Sequence, residues 1–161
     1  LGKLTLLAVM TVAGTGLAAA CFLLGGGFFA DMNAELAAIV AAGVGSVCLG
    51  SLFLVAAHLF VSFAAGLGAV IGLGAFGSLV AAIVGSTVIG DALWPWVPWA
   101  WGTRMTLVSW LSMTVPDAEP YGSVLRAAWR EGAVRSVAAT AAAVLGSLLW
   151  FQRWEGRRSG D

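Results

Sequence analysis

His58 is the chain's single histidine, and it sits in a stretch from Leu36 to Gly90 without one Asp, Glu, Lys or Arg. Ionisable groups inside apolar membrane segments are rare and mark proton or substrate pathways. Imidazole is also the commonest ligand for haem iron and metals. The bland reading stands beside these: one backbone carbonyl satisfies a neutral imidazole. Arg104 raises a similar question, because it falls near the middle of an apolar segment running from about Trp94 to Val115. A cation at that depth needs a carboxylate or a water-filled cavity, and Glu35 and Asp91 are the candidate partners. Alternatively the Trp-rich start of that segment lies flat at the interface and Arg104 meets the headgroups. Glu35, His58 and Arg104 are therefore the candidates for a proton path.

The remaining polar residues read as structure. Glu131 and Arg135 stand at the i, i+4 spacing of a helical ion pair, and with Arg126 and Arg130 they form a solvated or headgroup-facing helix start. Cys21 and Cys48 lie in apolar stretches and read as small buried hydrophobes without metal or disulfide spacing. No phosphate loop, nucleophile elbow or paired-histidine metal motif occurs. The expectation is a chain that is not catalytic alone and binds no cofactor or metal itself.

The elements that must position these groups follow from composition. Of 161 residues, 60% are hydrophobic and only 10% charged, and the mean hydropathy is +0.96. A soluble domain carries about a quarter charged residues, so lipid is the expected solvent. Lipid admits only helices and closed barrels, and the continuous Ala-, Leu- and Gly-rich stretches favour helices over the short alternating strands of a barrel. The predicted fold is an all-α integral membrane protein, a single domain over 1–161 with about five transmembrane helices. Their expected bounds are 4–29, 34–50, 52–90, 94–115 and 122–152, with polar turns at Asp31–Glu35 and at Pro116–Pro120. The division near Gly50 and Ser51 is imposed by length, since one span needs only about 20 residues. The run Trp94-Pro95-Trp96-Val97-Pro98-Trp99-Ala100-Trp101 reads as an interfacial aromatic belt, with both prolines suited to a first helical turn. The formal net charge of zero leaves no basic stripe for nucleic acid. The opening at Leu1 reads as the removal of a presequence.

Glycine is abundant, with 22 residues. Gly66, Gly68, Gly72, Gly74 and Gly77 crowd one side of the third segment, and Gly68 and Gly72 form a GxxxG pair. Small residues let membrane helices approach closely, so this pair predicts packing, either within the chain or against other subunits.

Gly122, Leu125, Trp129, Ser136, Gly146 and the basic tail from Arg153 give the last segment a pattern. This pattern resembles the subunit 6 (J subunit) family of proton-pumping NADH:ubiquinone oxidoreductase, respiratory complex I. The run Phe53-Leu54-Val55-Ala56-Ala57-His58-Leu59-Phe60-Val61 is similar to the start of that family's third helix. The resemblance implies a membrane-arm subunit near the quinone-proximal end, contributing helix packing and polar groups along a proton path. It also implies other respiratory subunits and lipid as partners. The location implied is the mitochondrial inner membrane or a bacterial plasma membrane. Leu52 stands where the family carries an acidic residue, and Ser62-Phe63-Ala64 where it carries a Tyr-x-Gly step. The helix rotation associated with that step is accordingly not implied.

A second pattern, Gly85-Ser86 through Gly90 followed by Trp94, Trp99, Trp101, Arg104, Met105 and Thr106, is similar to the tryptophan-rich segment of cytochrome c maturation haem-handling proteins. That family holds haem with flanking histidines. This chain has only His58, and Gly102 where the motif carries an aspartate, so the complex I resemblance leads. An accessory subunit of another respiratory complex is the third reading.

Overall fold

The computed structural model describes residues 34–114 and 121–158, with side chains to Gln152, and the helical positions 6, 9, 12–14, 16–17 and 19–20. The expected turn at Asp31 and Asn33, the loop at 116–120, Cys21 and the side chains of the arginine tail lie outside the described residues. Four long helices carry the fold: α1 (Ala34–Ala65), α2 (Leu67–Ser86), α3 (Pro98–Thr114) and α4 (Tyr121–Arg158). Short 3₁₀ turns at Val88–Gly90 and Trp94–Trp96 link α2 to α3. Almost every described residue is helical, and three stretches are long and apolar enough to cross a membrane: Ala34–Ala65, Leu67–Ser86 and Tyr121–Gln152.

The break between the expected second and third segments is misplaced by the sequence. Helix α1 runs unbroken through Gly50 and Ser51, and the interruption falls at Gly66, whose φ of +85° is a left-handed conformation. Such a φ costs an L side chain roughly 1–2 kcal/mol, and glycine adopts it freely. Ser51 is compatible with the helix because its hydroxyl donates to the Val47 carbonyl at 2.7 Å. Gly50 serves a different purpose: an added Cβ would collide with the backbone of Gly102 on α3. It marks a close helix crossing. The end of α2 is also earlier than expected, at Ser86 rather than Gly90.

Contacts fix the directions. Ser46, Gly50 and Phe53 of α1 meet Ser109, Gly102 and Trp101 of α3 in descending order, so these helices are antiparallel. Ser46 meets Trp129, and Phe60 and Phe63 meet Trp150 and Phe151, so α4 runs alongside α1 in the same sense. His58 approaches Gly74 across the Gly66 turn, closing α1 and α2 into a hairpin. At 1.5 Å per residue α1 is about 48 Å long, well beyond a hydrocarbon core of about 30 Å.

The tryptophan run does not form a uniform belt. Trp94 and Trp101 are buried with Ala100 in the small apolar core, whereas Trp96 is 76% exposed. Helix α3 begins at Pro98, and Pro95 occupies the start of the second 3₁₀ turn. Both positions spare a backbone N–H that would have no helical partner.

Candidate functional site

Two polar centres stand out in a largely apolar bundle. The first surrounds the linker between α2 and α3. Asp91 follows the first 3₁₀ turn and accepts from the Arg104 guanidinium on α3. Arg104 is largely shielded, with a side-chain exposure of 17%, whereas Asp91 is 54% exposed. Of the two carboxylates considered as its partner, the structure selects Asp91. Across the linker, Arg135 of α4 takes three partners. Its Nε and Nη2 donate to Glu131 Oε1 at 3.0 and 2.7 Å, which is the expected i, i+4 pair. Its Nη1 donates to the Pro95 carbonyl at 3.2 Å, and its guanidinium lies 5.1 Å from the Trp96 ring. Trp101 Nε1 donates to the same Pro95 oxygen at 3.2 Å. Arg135 and Trp101 thus share the Pro95 carbonyl, and Arg104 ties the linker to α3 through the Asp91 carboxylate.

The second centre is a hydrogen-bonded seam joining three helices. Trp129 Nε1 on α4 donates to Ser46 Oγ on α1 at 3.0 Å, and Ser46 Oγ lies 2.9 Å from Ser109 Oγ on α3. Ser46 and Ser109 are 1% and 7% exposed. Ser112 Oγ continues the line by donating to the Ser109 carbonyl at 2.8 Å. The seam forms the floor of a cleft of about 470 Å³ between α1, α3 and α4, with Arg126 and Arg130 on its lining. The sequence reading missed it. Membrane-helix serines ordinarily turn back onto their own helix, as Ser51, Ser78 and Ser147 do here. Nothing local separates Ser46 and Ser109 from them.

His58, Glu35 and Arg104 are not brought together. Glu35 is exposed in the first turn of α1, roughly 34 Å along the axis from His58 at 1.5 Å per residue. His58 Nδ1 donates to the Leu54 carbonyl at 2.7 Å, because a carbonyl oxygen can only accept. The His58 ring lines a cleft between α1 and α2 with Ser51, Ser62 and Val70, and its Nε2 lies 3.7 Å from where a Cβ on Gly74 would be. Both serine hydroxyls donate to helix carbonyls, so this cleft presents acceptor lone pairs. Among the described residues no three His, Cys, Asp or Glu side chains cluster in a metal-holding group.

Gly68 and Gly72 are the other surprise. A Cβ built on either meets nothing within 4 Å, so the GxxxG pair packs against no other described part of the chain. The glycines that pack most tightly on α2 are Gly77, against Trp99, and Gly85, where an added Cβ would lie 2.6 Å from Thr103 Cβ. No known family, curated protein or solved structure matches the chain.

Proposed function

We propose that the chain is a non-catalytic, multi-pass subunit of a larger membrane complex. The observation that supports this most directly is the open GxxxG face of α2. Glycine in a helix interior costs about 1 kcal/mol relative to alanine, and close backbone packing is what offsets that cost in lipid. Gly68 and Gly72 have no such packing within the described chain, and Leu67 and Ile71 beside them are 71% and 63% exposed. A helix from another subunit supplies what is missing.

The membrane arm of complex I is the assembly we put forward by name, in a mitochondrial inner or bacterial plasma membrane. Its support is the pattern of the last helix, from Gly122 to Gly146. The likeness at Phe53–Val61 lends less, since those residues lie in the middle of α1 rather than at a helix start. His58, which lines the cleft between α1 and α2, is the residue to test for a proton path. His58→Leu leaving proton translocation per NADH unchanged would remove it.

A second reading, a membrane subunit of a transport complex, is favoured by the interrupted segment between α2 and α3. Irregular backbone at membrane depth is tolerated where it is buried in protein or lines an aqueous path, and broken helices of this kind build substrate sites in transporters. One experiment separates the readings: native electrophoresis of membranes solubilised in mild detergent, with identification of what co-migrates. Migration with an NADH-oxidising band supports complex I, and migration with a non-respiratory assembly supports the second reading. A chain running alone ends both.

A further inference from the structure

The cleft above the serine seam has a composition that selects its occupant. Its walls are apolar, from Ala42 and Gly45 of α1, Val108 and Met113 of α3, and Leu125 of α4. The polar atoms on its floor are already engaged with one another: Trp129 Nε1 with Ser46, Ser46 with Ser109, and Ser112 with the Ser109 carbonyl. A polar solute would find few free partners there, whereas a hydrocarbon chain needs none. Gly45 keeps the space open, since an added Cβ meets nothing within 4 Å.

The rim is cationic. Arg126 and Arg130 are one helical turn apart on α4, both are exposed, and both line the cleft, in whose lining no carboxylate occurs among the described residues. Arg130 has no ion-pair partner among the described residues. Arg135, the next arginine along α4, is held by Glu131 and Pro95 and so is not available to the rim. Guanidinium groups bind phosphate through paired N–H donors, and basic pockets between membrane helices take lipid headgroups.

We propose that this cleft binds an anionic phospholipid, one acyl chain lying along Gly45 and Met113 and the headgroup phosphate on Arg130, with Arg126 beside it. The inference requires only that the chain lie in a bilayer, and it is independent of which complex contains it. The test uses the full chain in its native complex, exposed to mixed micelles of phosphatidylglycerol or phosphatidylcholine bearing a diazirine on the same acyl chain. Cross-linked peptides are then mapped by mass spectrometry.

The expected result is labelling of cleft peptides around Gly45 and Met113, about fivefold stronger for phosphatidylglycerol, the ratio that one surface cation supplies. Arg130→Gln abolishes the headgroup preference while acyl labelling persists. Gly45→Leu fills the cleft and removes labelling there for both lipids, with labelling of α2 unchanged as the control for folding. Equal labelling by the two lipids, or a preference that survives Arg130→Gln, overturns the proposal. So does a cleft left unlabelled in the native complex, which means that a protein segment covers it.

Discussion

At the crossing of α1 and α3, Gly50 faces Gly102 so closely that the helices meet backbone to backbone. On α2, Gly68 and Gly72 have the same small side and no described residue against it. The chemistry of the two pairs is identical, and their surroundings are opposite. The first region is closed by the chain itself: the glycine contact brings α1 and α3 near enough for Ser46 and Ser109 to bond at 2.9 Å, and Trp129 joins from α4. The second is attached by a one-residue turn at Gly66 and by contacts at Gly77 and Gly85 toward its far end. Small residues in a membrane helix therefore report an intended neighbour without saying whether that neighbour belongs to the same chain.

Enlarging one glycine in each region is the sharpest way to break this comparison. Gly50→Leu forces the α1–α3 backbones apart and is expected to cost more than about 3 kcal/mol, read as loss of the monodisperse species in mild detergent. Gly72→Leu is expected to leave that species intact while removing co-migration with the native complex. If Gly72→Leu destabilises the isolated chain as much as Gly50→Leu, the two regions are not different in kind.

Ser46→Ala tests the closed region more gently. It leaves the Trp129 indole N–H and the Ser109 hydroxyl without their shared partner. The expected loss is about 1 kcal/mol, consistent with membrane hydrogen bonds measured at roughly 0.6 kcal/mol on average. A shift of the Trp129 indole N–H resonance, absent in Ser78→Ala, is the matching spectroscopic check.

The hinge comes next. Gly66→Ala places a Cβ at φ +85°, where an L residue costs about 1–2 kcal/mol. The expected effect is a modest fall in thermal midpoint with the oligomeric state preserved. Asp91→Asn is the smallest change. Asp91 is more than half exposed, and exposed pairs contribute about 0–1 kcal/mol, less in high salt. A double-mutant cycle with Arg104→Gln measures it.

Part of this architecture could be read from the chain alone. Helical class and membrane character follow from a composition that lipid alone can accommodate, and the Glu131–Arg135 pair follows from spacing. The break at Gly66 could not be read, because Leu36–Gly90 offers many glycines and no charge or proline to rank them. Only φ distinguishes Gly66, and only the approach of Gly102 distinguishes Gly50. The Asp91–Arg104 pair was one of two open options, decided by the fold-back of the linker onto α3. The serine–tryptophan seam was invisible because its members come from three helices and each residue alone looks ordinary.

The order of synthesis gives that seam a further meaning. As the chain leaves the ribosome, α1 and α2 emerge as neighbours and can enter the bilayer as one hairpin, joined at Gly66. Ser46 is then made long before Ser109 exists to meet it, and Trp129 comes later still. The face of α1 from Gly43 to Gly50 is therefore completed only when α3 follows it in the order of synthesis.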